Sequence, residues 1–402
     1  STVTINAGQD STFVGVKTSG SANATDDNGF GDFYYTPPTG FLALCTANLP
    51  IASEIDPAST DSNFPQKQFN VVTYSGNGST QSISGVGFQP DLCWIKDRTS
   101  TAAYGNVLID SSRGRAKNIY SSSDRAEISS GASEDLTSFD SDGFSLDNSA
   151  NAAVNSSGKN YVAWCWRANG GTTASNTDGS ITSTVQANTN AGFSIMTYTG
   201  TGSNATIGHG LSAAPDLVFV KRRSSTQNWA VYHGALGGTK NLSLNLNNAA
   251  ATGSAFWQDT DTSSSVITIG TEGRVNQSSG TYVAYAWHNV EGFQKFGLYE
   301  GNSNNNGTFI YLGFRARLFF LKEIDNADDW VVYDTARDTF NTGSSKTVRW
   351  EDTSAEFDGT TRAVDVTSTG LKIRTSNATL NASATYVFGA WGDVPAKYGN
   401  TF

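Results

Sequence analysis

The stretch Tyr161–Gly171, "YVAWCWRANGG", returns as "YVAYAWHNVEG" at 282–292 and in weaker form as "YVFGAWGDVPA" at 386–396. Read at period two, one face of the first copy carries Tyr161, Ala163 and Cys165, and the other Val162, Trp164 and Trp166. The second copy sets Tyr282, Ala284 and Ala286 against Val283, Tyr285 and Trp287, and the third sets Tyr386, Phe388 and Ala390 against Val387, Gly389 and Trp391. Both faces are mostly apolar, the pattern of a central strand covered on its two sides. Small residues on one face let a second sheet approach, while the indoles on the other fill volume. Trp166, Trp287 and Trp391 are therefore expected at equivalent core sites.

Working outward, each phrase closes a longer repeat. The first runs from "FNVVTYSGNGS" at Phe69 through "DLCWIKDR", "NVLIDSSRG" and "FDSDGFSL" to its closing strand. The second runs from "FSIMTYTGTGS" at Phe193 through "DLVFVKRR", "WAVYHGALG" and "SSSVITI", and the third from "FGLYEGNSN" at Phe296 through "RLFFLKEI", "WVVYDTARD" and "STGLKI". The spans from first to closing tyrosine, Tyr74–Tyr161, Tyr198–Tyr282 and Tyr299–Tyr386, nearly match. Copies of roughly a hundred residues have the size of domains, not of solenoid units. The other apolar runs are short, rich in β-branched and aromatic residues, and bounded by Gly, Asn, Asp or Ser. The expectation is an all-β chain of three tandem β-sandwiches at 69–167, 191–288 and 293–398, after a partial β-domain at 1–50 and a linker at 51–68. The segment 168–190 reads as a polar linker that could bend or lie along a neighbour. Asn155, Asn276 and Asn381, each just before a closing strand, suit a turn with left-handed geometry.

Composition excludes several function classes. The chain has 402 residues, 15% of them charged, and a net charge of −10. Without basic runs, nucleic-acid binding is not expected, and no apolar run reaches the length of a membrane span. The three cysteines, Cys45, Cys93 and Cys165, make neither a disulfide framework nor a metal spacing. The chain starts at Ser1, which suggests a processed or truncated piece.

No catalytic constellation emerges, and neither cofactor nor metal is expected. The three histidines, His209, His233 and His288, do not recur between copies; His233 takes the place held by Asp110 and Asp334. Asp140, Asp142, Asp259 and Asp261 stand in "DSDG" and "DTDT" segments that read as turns, because Asp bonds its local backbone. A calcium loop would need a downstream bidentate Glu that is missing. Lys96, Lys221 and Lys322 end the same strand in every copy and read as gatekeepers against edge pairing, the sharper alternative being contact with an anionic glycan or a neighbouring subunit. Arg113 and Arg337 follow one shared downstream strand. Sugar binding needs exposed aromatics beside polar groups. Trp257 with Asp259, and Trp350 with Asp352, stand outside the strand phrases and are the candidate glycan-stacking residues. A lid over the sandwich end is the other reading of these tryptophans.

The ordered set "Y.GNG", "PDL.WIK.R", "FDSDGF.L" and "VN.SG..YVAW.W" resembles a repeat domain of tail-fibre and other virion proteins of tailed bacteriophages, over residues 69 to about 398. "INAGQDSTF" and "YYTPPTGFLALCTANLP" are similar to the closing strands of SPRY-type, concanavalin-like lectin domains, most of which would lie upstream of Ser1. The resemblance implies a virion structural protein of the tail, outside the cell: a fibre or spike arm attaching to a host-surface glycan or protein. It also implies a homotrimer that contacts other tail proteins. A secreted lectin or adhesin is the alternative, and a glycan-degrading enzyme the third reading.

Overall fold

The computed structural model describes residues 64–99, 105–129, 135–147 and 152–395, with parts of 12–48. The described residues form an all-β structure of several antiparallel sheets, and the helices among them are one-turn segments between strands. In repeat one, the closing strand Asn160–Trp166 lies between Phe69–Ser75 and Leu92–Asp97, and Val107–Asp110, Lys117–Tyr120 and Ile128–Ser129 extend the sheet. A smaller sheet of Gln81–Ser84, Gly143–Leu146 and Leu136–Asp140 packs on one face. Ile83, Phe144, Leu146, Ile95, Tyr161 and Ala163 fill the gap between them. Repeats two and three build the same pair of layers around closing strands Thr281–Trp287 and Thr385–Pro395. The period-two reading holds: the Tyr161–Cys165 face enters this sandwich, and the Val162–Trp166 face looks the other way.

The other face is covered by the other repeats, which packs the three expected sandwiches against one another. The Trp-bearing faces of all three large sheets meet in one apolar cluster. Trp166, Trp287 and Trp391 lie edge-on to one another there, with ring centroids 5.5–5.8 Å apart. Each is at most 1% exposed. Separate copies would leave three broad aromatic faces in water, at roughly 25 cal/mol for each Å². Closing the three sheets on one another removes that cost and compensates for the small size of each copy.

The segment between repeats one and two is also part of the fold. Ala174–Asn176 and Ser183–Asn188 are strands, and the second pairs with the opening strand Phe193–Thr199 of repeat two. Ile181 and Val185 supply the apolar anchors, both buried within the repeat-two sandwich. Asn155, Asn276 and Asn381 are fully buried and end one-turn helices instead of taking left-handed turns. Each amide clamps the loop that follows its opening strand: Asn276 accepts from the Thr201 amide (2.8 Å) and donates to Ser203 O (2.6 Å). Asn155 and Asn381 repeat the pattern with Asn77 and Ser79, and with Asn302 and Asn304.

Candidate functional site

The three repeats meet at three seams, each built from one sequence position on one repeat and one on the next. Asp110 of repeat one accepts from Tyr285 Oη of repeat two at 2.6 Å. Asp334 of repeat three accepts from Trp164 Nε1 of repeat one at 3.0 Å. In repeat two the position is His233, whose Nε2 meets Phe388 O of repeat three at 3.1 Å. Gly389 stands where Tyr285 and Trp164 stand in the other closing strands, so no side chain is present there and the imidazole reaches backbone. The order is cyclic: one on two, two on three, three on one.

The two acidic seams are ion networks. Arg113 pairs with Asp110 (2.5 Å) and Glu127 (3.0 Å), and Glu127 pairs across the seam with Arg223 (2.8 Å). Arg337 likewise pairs with Asp334 and Glu356, and Glu356 with Arg98 of repeat one. Burial works against the Glu127 and Glu356 carboxylates, yet their arginine partners hold both below the ordinary range. The third seam replaces the network with neutral groups: Ala250 donates its amide to Ile324 O at 2.9 Å, as Glu127 and Glu356 do to Arg223 O and Arg98 O.

The recurrent lysines belong to the same seams, which corrects the gatekeeper reading. Lys96, Lys221 and Lys322 are fully buried on interior strands. Each ammonium donates to a carbonyl of the preceding repeat in the cycle: Asp352 O (3.0 Å), Asp124 O (3.1 Å) and Asn247 O (3.3 Å). Burial pulls each down from 10.5 to about 8, opposed by nearby carboxylates.

Trp257 and Trp350 are not surface stacking groups. Trp257 is 1% exposed inside the repeat-two sandwich, with Tyr232 edge-on at 5.8 Å. Trp350 is fully buried in the shared core and stacks on Trp94 at 4.3 Å. It fills space beside Asn106, the position held by Trp229 and Trp330 in the other repeats, and Asn106 donates to Trp350 O at 3.0 Å. Asp259 is exposed in a positive-φ turn after the helix Ser254–Trp257. Asp352 is tied to Arg349 and Ser354, which hold its carboxyl below the usual range against burial. The two Trp–Asp pairs sit in different clusters and form no common site. Asp142 caps the Gly85 and Gly87 amides, as a turn residue does, and among the described residues no cluster of potential ligands could hold a metal ion.

The surface of the described residues includes two shallow grooves. One, of about 200 Å³, is lined by Thr347, Arg349, Ser354, Glu356, Phe357 and Arg362. Phe357 is 38% exposed, with the Arg362 guanidinium 5.0 Å from its ring centre. Asp329 pairs with both Arg349 and Arg362, so their charge is largely offset and the groove presents donors and an aromatic rim. The second, of about 240 Å³, is lined by threonines including Thr184, Thr197, Thr199 and Thr281, with Arg223 at its margin. Sequence reasoning missed Phe357, because "EFDGTTR" has the composition of an ordinary turn.

A family described as a domain of unknown function, DUF7483, matches residues 64–395. The chain belongs to that family. The DUF7483 match spans all three repeats and their seams as one unit, the same extent as the body built on the shared core. No curated protein and no solved structure matches the chain.

Proposed function

We propose that this DUF7483 chain is a structural protein of a tailed-phage virion, a tail-fibre or spike component that attaches to a glycan on the host surface. The observation that carries the reading is the closure of three like repeats on one tryptophan core. It makes one body that can present recognition sites on its outer surface, and the virion resemblance of the repeated motifs supplies the setting. The Phe357 groove is the proposed contact: its ring offers a face to sugar C–H groups and its flanking polar side chains meet hydroxyls. The homotrimer implied by the resemblance would bury surface of small repeats against sister chains. The shared core supplies that burial within one chain, so the proposal places the threefold relation inside the chain.

The test is binding of the full chain to host cells and to their purified surface polysaccharides, repeated with Phe357→Ala. Saturable binding, weakened at least tenfold by the substitution at unchanged melting temperature, is the expected result. Absence of the protein from purified virions would overturn the virion reading; undiminished binding by Phe357→Ala would overturn the groove alone.

A further inference from the structure

Of the three cysteines, two face each other directly. Cys93 on Leu92–Asp97 is the register partner of Cys165 on Asn160–Trp166, and both are fully buried between the layers of repeat one. The pairing type follows from the ladder. The Arg98 amide donates to Asn160 O at 2.8 Å, which makes Arg98 and Asn160 a hydrogen-bonded pair. Alternation along the same register makes Cys93 and Cys165 a non-hydrogen-bonded pair. Such pairs bring Cα atoms to about 4.5 Å, inside the roughly 4.4–6.8 Å that a disulfide spans. The equivalent facing positions are Val218 with Ala286 in repeat two and Phe319 with Ala390 in repeat three, large against small. Repeat one alone carries at both positions a group that can be joined to its partner.

We propose that Cys93 and Cys165 form a cross-strand disulfide when the chain folds in an oxidising medium. The oxidant is a small-molecule disulfide. One cysteine thiolate attacks it to give a mixed disulfide and release one thiol; the second cysteine then displaces the other thiol. Two cysteine S–H bonds are lost, one protein S–S bond forms, and the oxidant leaves as two thiols. Burial raises the Cys93 thiol well above its ordinary range, so thiolate is scarce in the closed sandwich. The exchange therefore belongs to folding or to transient opening of the strand pair. Once made, the bond is shielded from reductants by the same burial, and it closes the chain between neighbouring interior strands.

The test uses full-length Cys45→Ser protein, unfolded in reductant and refolded with oxidised and reduced glutathione. The expected product is lighter than the reduced chain by about 2 Da, the two lost hydrogens, has no titratable thiol after denaturation, and yields a digest with the Cys93 and Cys165 peptides joined. Its melting temperature should exceed that of the same protein refolded in reductant alone. A Cys93→Val, Cys165→Ala variant, which borrows the repeat-two pair, should fold and lose this redox dependence. Two free thiols, glutathione retained on either cysteine, or only interchain links would each overturn the proposal.

Discussion

Acidification should loosen the seam between repeats two and three before the others. His233 is buried, and burial lowers its imidazole from 6.5 to about 4. Both ring nitrogens are engaged: the Ala235 amide donates to Nδ1 at 3.3 Å, so Nδ1 carries no proton and Nε2–H donates to Phe388 O. A second proton would set two N–H groups against each other. Because the folded state holds this base below its unfolded value, the unfolded chain binds the proton first. The site costs nothing above pH 6.5, the penalty grows as pH falls from 6.5 toward 4, and it is complete below 4. The full difference is about 3 kcal/mol, of which about 2 kcal/mol should be expressed at pH 5. His209, also lowered by burial, adds in the same direction, and Glu351, raised by burial, opposes it. The comparison is therefore urea unfolding of wild type and His233→Asn between pH 7.5 and 4.5. The variant should be less stable throughout and lack about 2 kcal/mol of the fall to pH 5. Equal slopes in the two proteins, or an NMR titration of His233 near 6.5, would falsify this account.

Other outcomes follow from the shared core and its seams. Trp287→Ala should cost about 3–5 kcal/mol and shift one calorimetric transition common to all three repeats; three resolved transitions, only one of them moved, would show independent domains. Tyr285→Phe leaves a lone pair of buried Asp110 without its donor and should cost about 1–3 kcal/mol in chemical denaturation; no change would mean the contact contributes nothing. Sedimentation of the full chain should give monomer mass up to high concentration, whereas a stable trimer would show a second threefold assembly outside this core.

The strand phrases were legible because period two is a local property, and three copies of it made the sandwich and its core tryptophans plain. Closure of the repeats on one another was not. Two apolar faces on Asn160–Trp166 say that it is covered twice, without saying by what. The lysines show the same limit, since a strand-end Lys has one local signature whether it guards an edge or reaches into a neighbouring repeat. Trp350 misled because its neighbours in "TVRWEDT" are polar, while its place is set by Asn106 some 240 residues away in sequence. Exchange of Asp110 and Asp334 for His233 was visible by aligning the repeats. Its meaning required knowing that Tyr285, Trp164 and Gly389 lie opposite.

Those seam pairs explain how a chain of three similar repeats closes in one order. With identical seams, any repeat could dock on any other, within the chain or between chains, and the shared core would form many ways. The residues differ instead in matched sets. Tyr285 and Trp164 offer donors to buried carboxylates that are also held by Arg113 and Arg337. His233 faces a glycine whose missing side chain leaves Phe388 O within reach. Moving His233 opposite Tyr285 or Trp164 would crowd two rings into one site and strand a polar group, at about 1–3 kcal/mol. Moving Asp110 opposite Gly389 would keep its Arg113 partner but leave a buried acceptor without that side-chain donor, at about 1–3 kcal/mol. Gly389 could not be filled in compensation, because a Cβ there would come within 2.4 Å of the Phe320 ring. Wrong dockings are thus penalised at the seams, and the penalty vanishes only for the cycle one, two, three.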